Sequence, residues 1–194
     1  MDHLDDLKTI SAVMGGNSNA YGALVQRYQK PIFNLMYRVT GSHEDARDLA
    51  QETFIKAYEK LDQFRMGERF FPWLYTIGFN HARNFLRRGK PVHTVSDQDC
   101  DEQSGLDYPS QHEERMCSKI DFLRIYQALD RLPMDYREAV ILHYHEGLSM
   151  EDIATALQLS LSGAKMRVHR GIRKLREMIS EDNHEKEGSI LADR

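Results

Sequence analysis

Residues 89–118, GKPVHTVSDQDCDEQSGLDYPSQHEERMCS, carry no sustained apolar period, and this gap restricts the available folds more than any other feature of the chain. Seven acids (Asp97, Asp99, Asp101, Glu102, Asp107, Glu113, Glu114) stand there against Lys90 and Arg115. A segment of that composition cannot bury enough apolar surface to offset its ordering entropy. It predicts a flexible acidic linker over 91–118, joining a domain at 1–90 to a second at 119–180, with a tail at 181–194. Two cores, of about 90 and about 70 residues, are expected rather than one.

On either side of the gap no segment alternates with period two, so the chain reads as all-α, two small helical domains. Leu4, Leu7, Ile10 and Met14 predict a first short helix, stopped by Gly15-Gly16. Tyr21, Leu24, Val25, Tyr28, Ile32, Leu35, Met36 and Val39 predict a second, which Pro31 should kink or split. Ser42 with Asp45 is a capping-box-like start to a third, whose apolar face is Ala46, Leu49, Ala50, Thr53, Phe54, Ala57 and Tyr58. Pro72 suits the first turn of a fourth helix that runs to about Arg88. Beyond the linker, Ile120, Leu123, Gln127 and Leu132 suggest a fifth helix ended by Pro133, and a sixth follows over Tyr136–Tyr144.

Residues 147–176 read as a helix-turn-helix. Ser149 and Asp152 again form a capping-box-like start, and Ile153, Ala154 and Leu157 give a short helix one apolar face. Gln158, Leu159 and Ser160 make the break. Leu161, Ala164, Val168, Ile172, Leu175 and Ile179 then fall at helical spacing, with Lys165, Arg167, Arg170, Arg173, Lys174 and Arg176 between them. A helix-turn-helix lays such a cationic helix in the DNA major groove. An isolated cationic helix is usually only a solvated face; the capped short helix and brief turn before it favour DNA.

Two further faces suggest binding. On the fourth helix Trp73, Thr76, Asn80, Arg83, Asn84 and Arg87 share one side, with Leu74, Ile77, Ala82, Phe85 and Leu86 available to pack inward. Aromatic, amide and guanidinium groups together suit single-stranded nucleic acid, because bases stack on rings and guanidinium planes while cations hold phosphates. Phe70, Phe71 and Tyr75 would add aromatic surface near the helix start, unless they are core residues. The third helix is acidic instead, with Glu44, Asp45, Asp48, Gln51 and Glu52 in its first half. Acids near a helix N-terminus are favourable for dipole reasons alone; as a site, this face would dock a basic protein partner.

Other classes are disfavoured. Lys and Arg total 26 against 30 acids, a net charge of −4, so any nucleic-acid affinity comes from local patches. Cys100 and Cys117 form no disulfide framework and suit a reducing cytoplasm. No apolar run reaches the length of a membrane span, and the acidic MDHLDDLKTI is no signal peptide. Nine histidines lack any convincing partner set, and there is no phosphate loop, GxSxG or HExxH. An enzyme, a metal site and a cofactor are therefore not expected.

In this order, these pieces resemble the extracytoplasmic-function subgroup of bacterial RNA polymerase sigma factors. DARDLAQETFIKAYEKLDQF at 45–64 resembles the segment that binds the polymerase clamp helices. FPWLYTIGFNHARNFLRR at 71–88 resembles the segment that melts and reads the promoter −10 element. Residues 129–177 resemble the −35-binding domain. The resemblance implies that Asp45, Asp48, Leu49, Gln51, Glu52 and Phe54 face core RNA polymerase. It implies that Trp73, Asn80, Arg83, Asn84, Arg87 and Arg88, with loop 65–71, hold an unpaired promoter strand and an extruded base. Lys165, Met166, Arg167, His169, Arg170 and Lys174 would meet the −35 duplex. The departure is Ser162-Gly163-Ala164, where the family more often has Gly-Thr-Val. The acidic linker would mimic nucleic acid near the RNA path of the polymerase. Implied partners are core RNA polymerase, promoter DNA and a cognate anti-sigma factor, often membrane-bound, and no small-molecule substrate. The chain would then be cytoplasmic, or held at the inner membrane face by that partner. The rival readings are a helix-turn-helix regulator acting without polymerase, with a sensing domain in 1–90, and a metal-dependent enzyme built on the histidines.

Overall fold

The structure is a computed structural model that describes residues 3–88, 125 and 127–192, with side chains to 181. The acidic linker, both cysteines, and Ile120 and Leu123 of the fifth helix lie outside the described residues. The chain divides into two compact units. The first carries α1 (His3–Met14), α2 (Tyr21–Thr40), α3 (His43–Glu59) and α4 (Phe70–Arg87). The second centres on α5 (Met134–Tyr144) and α7 (Leu161–Ala192), with α6 (Met150–Ala156) between them in sequence. Among the described residues there is no named strand; one isolated bridge joins Met66 and Glu68.

α2 is the spine of the first unit and packs on α1, α3 and α4. It passes through Pro31 without dividing. An internal proline costs about 3 kcal/mol. Leu24, Tyr28, Ile32, Leu35, Met36 and Val39 are all buried on one face of the helix, and each such side chain contributes about 1.5–3 kcal/mol, so burial wins. α3 starts as its sequence predicts, with Ser42 Oγ accepting the Asp45 amide at 3.3 Å. Its predicted face is buried except for Tyr58, which is exposed and meets Tyr21 edge-on.

α1 forms where its apolar residues predict, and Ile10 is buried, but its buried face is shifted from their period. Leu4 and Met14 are exposed, while Asp6, Ile10 and Val13 are buried. The reason lies in α2. The Tyr28 hydroxyl and the Arg27 guanidinium both donate to the Asp6 carboxylate, so an acid replaces an aliphatic side chain at the α1–α2 contact. Burial, and then the Asp6 carboxylate, push the Tyr28 phenol above its ordinary range.

In the second unit residues 127–131 are helical, and Ala128 and Leu132 pack with Leu175. Arg137 closes that helical turn by donating to the carbonyls of Asp130 (2.7 Å) and Leu132 (3.1 Å). α5 and α7 cross at Gly171, where closeness requires a glycine. A Cβ there would stand 2.7 Å from Val140 Cγ2 and 3.2 Å from the Tyr136 carbonyl oxygen. Overpacking costs about 1–3 kcal/mol, and the helix propensity regained from alanine returns about 1. Gly171→Ala is therefore expected to lose up to about 2 kcal/mol net, and Gly171→Leu more. Urea unfolding followed by circular dichroism should show the loss; a leucine variant as stable as the parent would refute the close approach.

Candidate nucleic-acid and polymerase interfaces

The helix-turn-helix forms by local bonding at each of its ends. Ser149 Oγ accepts the Asp152 amide at 3.1 Å and starts α6. The break is a Schellman turn: the Leu159 amide bonds the Ala154 carbonyl at 2.8 Å, and the Gln158 amide bonds that of Thr155 at 3.2 Å. Gln158 takes φ 56°, the left-handed conformation that usually falls to glycine. Ser160 Oγ then accepts the Gly163 amide at 3.1 Å and caps α7.

α7 buries Ala164, Val168 and Leu175, with Ile172 and Ile179 half-buried. Leu161 departs from the predicted face: it lies in the first turn, before the helix meets α5, and is exposed. The helix continues to Ala192, through residues that the sequence sets apart as a tail. Its cations divide into two groups. Arg167 pairs with Asp135 of α5 at 3.2 Å, and the Lys174 ammonium lies 6.0 Å from the ring centre of Tyr136. These two brace α7 on α5. Lys165, Met166, His169, Arg170, Arg173 and Arg176 are exposed.

In the first unit, α4 separates its two faces cleanly. Phe70, Phe71, Leu74, Tyr75, Phe79, Ala82 and Phe85 are buried. Phe70, Phe71 and Tyr75 are thus core residues and add no aromatic surface. Phe71 stacks on Tyr28 at 5.2 Å, and Phe64 meets Phe70 edge-on at 5.8 Å. The Trp73 ring packs on Phe64 and Phe70 at 5.4 and 5.6 Å and stays half-buried. Asn80 is half-buried, and Arg83, Asn84, Arg87 and Arg88 are exposed. The Arg83 guanidinium lies 5.6 Å from the Phe79 ring centre, which steadies it without burying it. Loop residues 65–69 are exposed as well.

On α3, Asp48, Gln51 and Glu52 are exposed and Asp45 is half-buried. Leu49 and Phe54 are buried, so they shape this face from beneath rather than forming its surface. Sequence reasoning missed two features here. His81 Nε2 of α4 meets both Lys56 Nζ (3.0 Å) and Glu52 Oε2 (3.1 Å), tying α3 to α4. Burial, then the Lys56 charge, hold this imidazole below its ordinary pKa, against the opposing pull of Glu52. The second feature is an apolar groove of about 720 Å³ between α2 and α3, lined by Phe33, Phe54, Ile55 and Tyr58. No pattern within one helix reveals either, because both arise between helices.

Comparison with known proteins assigns both units to one class. Sigma-70 region 2 matches residues 24–91, and sigma-70 region 4 matches residues 122–175. These are the two parts of a sigma-70-type transcription initiation factor. The RNA polymerase sigma-H factor of Pseudomonas aeruginosa is 36% identical over 172 residues, covering 85% of this chain and 89% of that one. The ECF RNA polymerase sigma factor SigW of Bacillus subtilis is 32% identical, covering 89% and 95%. The solved sigma factor RpoE of Bartonella quintana, in complex with the anti-sigma factor NepR, is 26% identical at a TM-score of 0.63 and covers 82% and 96%. The fold also matches CnrH in complex with the cytosolic domain of CnrY, at TM-score 0.67 over 92% of this chain and 99% of that one. The chain belongs to the extracytoplasmic-function family of RNA polymerase sigma factors. Among the described residues no helix is long and apolar enough to cross a membrane.

Proposed function

We propose that residues 1–90 dock core RNA polymerase and hold the opened −10 strand, while 119–180 bind the −35 duplex. The carrying observation is α4, where Arg83, Asn84, Arg87 and Arg88 are exposed over a base of buried aromatic rings. Guanidinium planes and amides over a rigid support suit unpaired bases and their phosphates. Asn80 and Trp73 complete this face. The acidic side of α3, with Asp45, Asp48, Gln51 and Glu52, is the polymerase-docking surface, and the apolar groove beside it extends that surface. On α7 the duplex falls to Lys165, Met166, His169 and Arg170, while Arg167 and Lys174 act mainly by bracing the helix on α5. Region 2 occupies the part of the chain where a polymerase-independent regulator would carry its sensing domain. A cognate anti-sigma factor, as in the Bartonella quintana complex, would sequester the protein in the cytoplasm or at the inner membrane face.

Run-off transcription with core polymerase and a genomic promoter pool tests the reading as a whole. Within it, Asn80→Ala and Arg83→Ala are expected to impair strand opening more than duplex binding, by about tenfold each, since one hydrogen bond to a base edge or phosphate contributes about 0.5–3 kcal/mol. Permanganate footprinting on linear promoter DNA reads the opening. Unchanged binding of both variants to a pre-melted template would reject the strand-holding role of α4.

A further inference from the structure

We infer that Met166 determines promoter specificity by reading the C5-methyl group of a thymine in the −35 duplex. The inference rests on the reading of α7 as the duplex-contacting helix and gives one of its residues a chemistry. Met166 is 49% exposed, although the apolar residues on either side of it, Ala164 and Val168, are buried. Its exposed neighbours Lys165, His169 and Arg170 are basic or polar. An apolar side chain in that company either has no partner or awaits an apolar one.

The first turn of α7 leaves room around it. Helical side chains lean toward the N-terminus, so Met166 covers the turn holding Ser162 and Gly163. Gly163 puts no side chain there. A Cβ at 163 would stand 3.1 Å from Ser160 Oγ, the atom that caps the helix, and glycine avoids that crowding. The departure from the family pattern at Ser162-Gly163-Ala164 therefore has a physical consequence. It keeps the cap and leaves a flexible thioether arm unshielded at the end of the helix that enters the groove.

The groove narrows the choice of partner. The N-terminal residues of a recognition helix meet base edges. Major-groove edges offer hydrogen-bond donors, acceptors and one apolar group, the thymine methyl. Methionine donates no hydrogen bond and accepts only weakly, so donor–acceptor readout is closed to it. Three side-chain torsions let it settle on a methyl group without ideal helix placement. Lys165 and Arg170 are left for phosphates and guanine.

The experiment uses holoenzyme assembled from the full chain and core RNA polymerase. Bound duplexes are selected from a promoter library, and each −35 thymine is then replaced singly by deoxyuridine, which removes only the methyl group. At one position the parent holoenzyme should lose about three- to fivefold in affinity, the effect of burying one methyl. Met166→Ala should lose a similar factor on the thymine duplex and be indifferent to deoxyuridine there. Met166→Leu should keep most of the preference. The inference is overturned if the selected −35 element holds no thymine, if the parent is indifferent at every thymine, or if Met166→Ala retains the full preference. Arg170→Ala in the same assay separates the two levels. If it weakens binding and lowers the salt dependence while the methyl has no effect, only the Met166 assignment falls. If it changes neither affinity nor salt dependence, the duplex reading of α7 falls with it.

Discussion

Replacing Asp6 with alanine is expected to destabilise the first unit by about 1–4 kcal/mol, a large share of a small domain's stability. Asp6 is 2% exposed, and its carboxylate accepts from the buried Tyr28 hydroxyl and from Arg27. Without it the Tyr28 hydroxyl loses its acceptor in the interior, which costs about 1–3 kcal/mol. The Arg27 side chain is 33% exposed and can rehydrate, so its lost pairing adds no more than about 1. Asp6→Asn keeps an oxygen for Tyr28 and should cost clearly less. The chain's single tryptophan, Trp73, packs on Phe64 and Phe70 of the same unit. Its fluorescence during urea unfolding therefore reports this unit directly. An unmoved midpoint for Asp6→Ala would show that the buried acid is not a structural anchor.

The same residue shows where a sequence stops being informative. Ser42 and Ser149 announce their helices because a cap and its amide lie three residues apart, and both bonds form. The burial of Asp6 depends on partners more than 20 residues away on another helix, and a local period reads an acid as solvated. α4 is ambiguous for a related reason. Phe70, Phe71, Trp73, Leu74 and Tyr75 are nearly continuous, so a 3.6-residue period cannot separate core from surface at its start. Only contact with Tyr28 and Phe64 does so. Farther along, where Phe79, Ala82 and Phe85 are spaced, the exposed arginines follow the expected face. Arg167 illustrates the limit on α7: a cation looks alike in sequence whether it meets phosphate or Asp135. The order of the motifs was enough for the family.

Reversing Asp48 and Glu52 together to lysine is expected to weaken binding to core RNA polymerase by about 100-fold or more, since like charges juxtaposed across an interface cost several kcal/mol. Glu44 and Asp45 lie in the first turn of α3, where the helix dipole alone favours acids. That effect fades within one turn, so it does not account for Asp48 and Glu52, both exposed farther along the same helix. Glu52 also meets Lys56 at 3.7 Å and His81 at 3.1 Å. The Glu52 carboxylate is itself 57% exposed and can rehydrate although His81 is mostly buried, so losing both pairs costs about 1 kcal/mol, too little to explain a hundredfold loss through unfolding. Glu52→Gln isolates that contribution, because it removes the pairing without reversing the charge. Competition with the parent chain for core polymerase, at several salt concentrations, reads the effect. The parent's affinity should fall as salt screens the acidic face, and the double variant, repelled at that face, should lose this dependence or reverse it. Its Trp73 unfolding transition should match the parent's, which places the loss at the interface. A polymerase complex left intact by both reversals would move the docking surface off the acidic side of α3 and leave the α2–α3 groove as the remaining described surface beside it.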